Sequence, residues 1–424
     1  MPPPALFGNM AVTEHEFKVP LDHDDPQAGA ITVFAREVVA AEKMTQPLPW
    51  LVFLQGGPGF GGPKPMTRAG WIKRALEEFR VLLLDDRGTG RSAQLGAQSL
   101  ARLKTSKDRA DYLKLFRADA IVRDAEWIRK RLLGDEPWTV LGQSYGGFCA
   151  VHYLSAAPGG LRAALIAGGL PSLHRPADDV YRATYPLVAA RHRRWFERYP
   201  DDADRVRRIV ETLEKTDVRL PGGDRLTSRR FRGIGLALGM SDGFETLHYL
   251  IEEAWVDGRQ GRELGYPFLR AVENALPYGT NPIFAILHEP CYAQGVSTRW
   301  SAQRLMKEFP AFDDPAMLTG EMIFPWMFEE YGPLKPLREE AELLAAYDGW
   351  PKLYDAEKLA KNKVPAAAAL YLEDMYVPRH MSEETAAAIA GLRVWATNEF
   401  DHNGIRAEGE KVLSRLLDLS RNRV

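Results

Sequence analysis

Three short apolar runs punctuate the first third of the chain, Trp50–Leu54, 81–84 and 138–141, and each ends in glycine-rich or charged residues. A strand with one wet face alternates polar and apolar positions, so nearly unbroken runs of this length predict strands covered on both faces, as in a parallel sheet. Ahead of them, residues 15–40 do alternate, with Phe17, Val19, Ile31 and Val33 as the aromatic or β-branched positions, which predicts an antiparallel strand pair. Between the second and third runs, Ile121, Ala125, Ile128 and Leu132 recur at spacings of four, three and four. That is one apolar helical stripe, expected to cross over and pack on the sheet.

Residues 163–167 continue the strand series, and the character then changes. From Pro171 to Lys361 the chain is rich in charged and aromatic residues and reads as helices joined by Pro/Gly turns, for example 181–199, 244–255 and 301–309. Strand patterns resume at 366–372 and 392–396, and an amphipathic helix over 405–419 closes the chain. The expected architecture is α/β, a mostly parallel sheet flanked by helices, with an inserted helical cap: core residues 1–170, cap 171–361, core 362–424. No solenoid-period repeat or low-complexity tail interrupts it.

Composition narrows the function classes. Of 424 residues, 55 Lys+Arg stand against 57 Asp+Glu, a formal net charge of −2, which excludes the broad basic surface of a non-specific nucleic-acid binder. The 2 cysteines, Cys149 and Cys291, are too few for a disulfide framework and lack zinc-site spacing, so both read as reduced thiols and no metal is expected. The N-terminus has no basic stretch followed by an apolar core, and no apolar run approaches the roughly 18–20 residues that span a bilayer. A cytoplasmic protein without a membrane or nucleic-acid partner is the expectation.

The chemistry concentrates at Gly142-Gln143-Ser144-Tyr145-Gly146, a G-x-S-x-G sequence between an apolar strand and the helix expected over 148–154. In a nucleophile elbow the turn is so tight that only small residues fit two positions either side of the serine, whose hydroxyl is pushed up above the sheet edge. A serine hydroxyl is a weak nucleophile without a base, and the base needs a carboxylate to orient it. His402 lies in a loop after the strand 392–396, and Asp374 directly follows the strand ending at Leu372, both at the carboxyl edge where open α/β sheets place their sites. The competing acids are Glu373, which strand alternation turns to the opposite side, and Asp401, which cannot easily turn back onto the adjacent imidazole. The other histidines, including His152 and His288, read as structural or surface residues. The order Ser144, Asp374, His402 is the one expected of α/β-hydrolases. Gln55-Gly56-Gly57-Pro58-Gly59, after the first run, offers backbone N–H groups for an oxyanion. The pattern does not say which glycine points inward; Gly57 is the candidate, with the Tyr145 N–H as second donor. No cofactor is required.

Three motifs together, Gln55-Gly56-Gly57-Pro58-Gly59, Asp85-Asp86-Arg87-Gly88-Thr89-Gly90-Arg91-Ser92 and Gly142–Gly147, resemble those of the proline iminopeptidases (prolyl aminopeptidases), serine peptidases of the α/β-hydrolase fold. Leu287-His288-Glu289-Pro290-Cys291-Tyr292 and the stretch 319–326 resemble the cap of the longer members. Gln55 departs from the family, which usually has histidine there. The resemblance implies release of an N-terminal proline from small peptides.

Recognition of a free amino group, largely protonated near neutral pH, calls for carboxylates in the cap. Glu289 and Glu321 are the candidates, acidic residues in otherwise apolar or aromatic stretches, although most glutamates end up solvated at helix ends. Tyr292, Phe324 and Trp326 are candidates for the wall around a pyrrolidine ring, against the alternative that such a cluster is simply the insertion's core. The rival readings are a carboxylesterase using the same triad and a non-catalytic binding module of the same fold. A lipase-like enzyme would carry a more apolar insertion, and a pure binder has no use for three triad residues and oxyanion glycines together.

Overall fold

The computed structural model describes residues 4–259 and 261–423; residues 1–3, part of the N-terminal stretch read above for a leader, lie outside them. The strands are β1 (Ala5–Phe7), β2 (Met10–Pro20), β3 (Ala30–Ala40), β4 (Trp50–Leu54), β5 (Arg80–Leu84), β6 (Trp138–Gln143), β7 (Leu161–Ala167), β8 (Trp255–Gly258), β9 (Gly261–Leu264), β10 (Ala366–Tyr371) and β11 (Leu392–Thr397). Nine of them form one sheet in the order β1-β2-β3-β5-β4-β6-β7-β10-β11. The first three strands and the β3–β5 pair are antiparallel, and every pairing from β5 through β11 is parallel.

The continuous apolar runs are explained by burial on both faces. Val52 and Leu54 of β4, Leu82 and Leu84 of β5 and Val140 of β6 face one hydrophobic core. Their neighbours Leu51, Phe53, Val81, Leu83 and Leu141 face a second one. Strand side chains alternate faces, so a strand sandwiched between two layers needs apolar residues at every position. The helices that pack on the sheet or flank the site include α1 (Gly70–Ala75), α2 (Ala118–Leu133), α3 (Tyr145–Ala156), α4 (Ala177–Arg198), α5 (Gly243–Glu252) and α6 (Gly409–Ser420). The stripe of Ile121, Ala125 and Ile128 on α2 joins α3 in the first core, while Trp71 of α1 and Leu413 and Leu416 of α6 line the second.

Between β7 and β10 the chain makes a long, mostly helical insertion. It also holds an antiparallel hairpin, β8–β9, where only helices are expected from the sequence. The helix expected over 244–255 accordingly ends at Glu252. Both hairpin strands are largely exposed, so no apolar run marks them. The helix expected over 301–309 stops at Leu305 and continues as a tighter turn over Met306–Glu308. That expected over 405–419 divides into Gly404–Ala407 and α6, because Glu408 leaves helical geometry at φ −136°, ψ 55°. Among the described residues no helix is long and apolar enough to cross a membrane.

Candidate active site

Ser144 sits between β6 and α3 with φ 54° and ψ −123°, a left-handed conformation that a residue with a Cβ rarely adopts and that costs on the order of 1–3 kcal/mol. The flanking glycines show what enforces it. A Cβ added at Gly142 would lie 2.2 Å from the Gly146 carbonyl oxygen, and one at Gly146 would lie 2.0 Å from the Leu54 carbonyl oxygen. These are backbone atoms that cannot swing aside, so β4, β6 and the start of α3 approach this closely only with glycine at both places.

The strained turn holds the Ser144 Oγ 2.8 Å from His402 Nε2. His402 Nδ1 lies 2.6 Å from Asp374 Oδ2. The other carboxylate oxygen, Oδ1, accepts the backbone N–H groups of Tyr376 at 2.8 Å and Val377 at 3.0 Å. Asp374 is thereby fixed by the loop that follows β10, and His402 by the loop that follows β11. Both side chains are buried. Burial alone would lower the His402 pKa, but the charge and hydrogen bond of Asp374 outweigh it, so the imidazole titrates above its usual 6.5. With Nδ1–H directed at Asp374, Nε2 is free to take a proton from Ser144.

Facing the serine, a Cβ added at Gly56 would come within 2.8 Å of the Ser144 Cβ, so the turn after β4 packs its backbone directly against Ser144. Gly57 follows in that turn with φ 131°, where a Cβ would meet the Phe60 ring. Tyr145 is the first residue of α3, and its N–H belongs to the set of helix-start donors without an intrahelical acceptor. The two expected oxyanion donors therefore belong to segments that meet at Ser144.

The two candidate cap carboxylates separate. Glu321 is half-buried, its Oε2 3.9 Å from His288 Nε2, and no hydrogen bond to it is found among the described residues. Burial raises its pKa to about 8. A Cβ built at the preceding Gly320 would lie 3.6 Å from the Met375 side chain, so this stretch packs beside the loop that carries Asp374. Glu289, by contrast, accepts the N–H groups of Ser301 at 3.1 Å and Ala302 at 3.0 Å, one on each oxygen. Its carboxylate caps the turn Ser301–Leu305 from inside the insertion, and among the described residues neither oxygen is hydrogen-bonded to Ser144, Asp374 or His402.

Tyr292 packs edge-on against Phe148 of α3 at 5.7 Å and against His288 at 6.1 Å, joining the insertion to the helix that follows Ser144. Phe324 and Trp326 stack on each other at 5.6 Å, and Trp326 lies 5.0 Å beneath the guanidinium of Arg229. Three features escape the sequence reading. His288, read there as structural or surface, is fully enclosed next to Glu321, and its pKa is lowered by burial to about 4, so it is neutral. Tyr376 packs its ring edge-on against His402 at 4.7 Å. The two competing acids are engaged elsewhere: Asp401 with Arg191, and Glu373 with Arg194 and Arg191. The Pro-containing loop after Asp374 is the one sequence signal that marks Tyr376; the others join residues too far apart in the chain to be read from it.

A family model described as alpha/beta hydrolase fold matches residues 49–288. A proline iminopeptidase of Aeromonas sobria is 49% identical over 413 residues, covering 96% of this chain and 96% of the relative. The proline iminopeptidase aneH of Aspergillus aculeatus is 37% identical over 430 residues, covering 98% and 95%. Among solved structures, a proline iminopeptidase of Mycobacterium smegmatis aligns over 97% of this chain and 100% of its own, at 14% identity and a TM-score of 0.47.

Proposed function

This chain belongs to the alpha/beta hydrolase fold family and within it to the proline iminopeptidases, and on that premise we propose that it releases N-terminal proline from small peptides through an acyl-enzyme on Ser144. His402 takes the Ser144 proton as Oγ attacks the prolyl carbonyl. The oxyanion of the tetrahedral intermediate is held by the N–H groups of Gly57 and Tyr145. His402 then passes its proton to the leaving amine, the C–N bond breaks and a prolyl ester remains on Ser144. Water, deprotonated by the same imidazole, attacks the ester and frees proline. Asp374 keeps the Nδ1 proton in place and balances the charge on the imidazolium.

The observation that carries the exopeptidase reading is Glu321, a carboxylate without a hydrogen-bond partner next to His402 and Asp374. A prolyl ammonium supplies the missing positive charge. An N-acylated residue supplies none and leaves the carboxylate unpaired, a penalty of about 1–3 kcal/mol. Glu289 serves the same end indirectly, by fixing the insertion around it, and Tyr292 forms part of the wall beside the site. The insertion over residues 171–361 acts as a cap on a core made of residues 1–170 and 362–424. Cys149 and Cys291 are free and buried, which supports a reducing, cytoplasmic setting.

The test compares wild type with Ser144→Ala on a prolyl arylamide, its N-acetylated counterpart and a short-chain aryl ester. Cleavage of the free prolyl substrate far above the acetylated one, lost in Ser144→Ala, is the expected result. Ester turnover without prolyl release would leave a carboxylesterase, and activity surviving in Ser144→Ala would remove the serine mechanism.

A further inference from the structure

The loops that carry Asp374 and His402 are both held by the insertion. Arg191, on α4, donates from Nη1 to Asp401 Oδ1 at 3.1 Å and from Nη2 to Asp401 Oδ2 at 2.9 Å, a two-pronged pair with the residue directly before His402. Its Nη1 also lies 3.5 Å from Glu373 Oε2, on the residue directly before Asp374, and Arg194, one turn further along α4, bonds the same carboxylate. The guanidinium is itself immobilised. Its Nε donates to the Leu238 carbonyl at 2.9 Å, its Cζ lies 4.5 Å from the ring centroid of Phe244 on α5, and only 6% of the residue is exposed.

Around this pair a second set of bonds ties the same loop to the turn before α5. The His402 N–H donates to the Gly239 carbonyl at 3.2 Å, the Asp401 N–H to Ser241 Oγ at 3.2 Å, and the Ser241 N–H to Asn403 Oδ1 at 2.8 Å. Tyr376, whose ring rests on His402, donates its hydroxyl to the Leu236 carbonyl. Gly239 is where this packing is tightest, since a Cβ there would lie 2.2 Å from the Tyr376 ring.

We propose that Arg191 is a positioning residue: through its two-pronged bond to Asp401 and its reach to Glu373, it couples the seating of the insertion to the alignment of His402 and Asp374 with Ser144. A bidentate Arg–carboxylate pair restricts orientation as well as distance, and here it acts one residue from the base. An insertion that shifts drags His402 off the Ser144 Oγ, so the nucleophile is fully activated only with the insertion seated. The inference rests on the triad reading above.

The experiment measures Arg191→Met, Arg191→Lys, Asp401→Asn and the Arg191→Met/Asp401→Asn double variant. The readouts are kcat and KM on a prolyl arylamide, the rate of Ser144 labelling by a small fluorophosphonate, and cooperative unfolding as the check of fold. The phosphonate needs an activated serine but no prolyl recognition. Arg191→Met is expected to lower kcat and the labelling rate by a common factor of about 10–100, the cost of a misplacement near 1 Å. KM should stay within about threefold, Arg191→Lys should recover part of the loss, and the double variant should lose no more than the worse single one. If Arg191→Met does not unfold cooperatively, Arg191→Lys and Asp401→Asn carry the comparison, because each keeps a polar group at the pair. Unchanged labelling with a raised KM would overturn the proposal, since the contact would then shape only the pocket. Additive losses would overturn it too. Failure of the triad reading has a separate signature, wild type left unlabelled or Ser144→Ala labelled equally well, and it would take the coupling down with it.

Discussion

Asp374 does two jobs with two oxygens, one accepting the Tyr376 and Val377 N–H groups and the other facing His402. Asp374→Asn can keep the first job, because the amide oxygen still accepts both backbone donors. Its NH2 then faces Nδ1, which forces the imidazole proton onto Nε2 and removes the acceptor for the Ser144 proton. The expected result is a loss of about 10⁴-fold in kcat with little change in melting temperature. A loss under tenfold would deny Asp374 this role. Glu321 supports a pH prediction with a definite sign. Its carboxyl, raised to about 8, must ionise to pair with an ammonium, and His402, raised above 6.5, must be neutral, so kcat/KM on a prolyl arylamide should rise with pH on the acid side as these groups lose their protons, and fall again as the substrate ammonium, near about 7.7–8.0, loses its own. Glu321→Gln removes one of these steps and also the negative charge that helps to raise His402, so the acid limb should move to lower pH. KM should rise about 10- to 100-fold, as for loss of a charge-assisted hydrogen bond. An unmoved limb in the pH profile would mean that Glu321 does not meet the substrate amine. Ser144, His402 and Asp374 are legible in the chain because each follows a recognisable strand, and strand ends of a parallel sheet converge on one edge. The Arg191–Asp401 pair is not legible, because its partners lie 210 positions apart and neither residue type is unusual in its segment.

At the scale of elements, the elbow is a three-way contact of β4, β6 and α3, and Gly146 is its narrowest point. Gly146→Ala would push a methyl against the Leu54 carbonyl oxygen, and relief requires α3 to move off the sheet. Overpacking of this kind typically costs about 1–3 kcal/mol, so chemical denaturation should show a loss in that range or beyond, together with loss of serine labelling. A variant as stable and as reactive as wild type would mean that the elbow is looser than the close approach of Gly146 to Leu54 implies. The central strands of the parallel sheet are readable because burial on both faces leaves an unbroken apolar run, whereas the edge strand β11 is largely exposed. Helix interruptions are not readable, since an apolar stripe can run on across a break in the backbone. The break at Glu408 shows why: Gly409 restarts the helix against α1, where a Cβ would lie 2.5 Å from the Trp71 nitrogen, a constraint set by a partner far away in sequence. The β8–β9 hairpin was silent for the opposite reason, as exposed strands need no apolar pattern.

For the molecule as a whole, the insertion is on the proposed reading both the substrate's enclosure and part of the scaffold that sets the catalytic loops, so on that reading its stability bears directly on activity. Glu289 sits inside that insertion, and two opposing effects act on its ionisation. Burial disfavours the charged form, the N–H groups of Ala302 and Ser301 favour it, and burial wins, placing the pKa at about 7 instead of 4.5. A carboxyl raised on folding contributes stability in full below its unfolded value, and that contribution is lost as pH rises through the folded one, here between about 4.5 and 7. The shift corresponds to about 3 kcal/mol at most. Glu289→Gln cannot titrate, so subtracting its unfolding free energy from that of wild type isolates this one group from every other carboxylate in the chain. The difference should become less favourable to wild type by up to that amount between pH 4.5 and pH 8. The prolyl-cleavage KM of the same variant, measured under conditions where it is fully folded, should stay close to wild type, because both Glu289 oxygens are committed to the Ser301–Leu305 turn. A flat difference across that range would mean that the two backbone donors hold Glu289 ionised at its ordinary value. A large rise in KM in folded protein would instead return Glu289 to the substrate site beside Glu321.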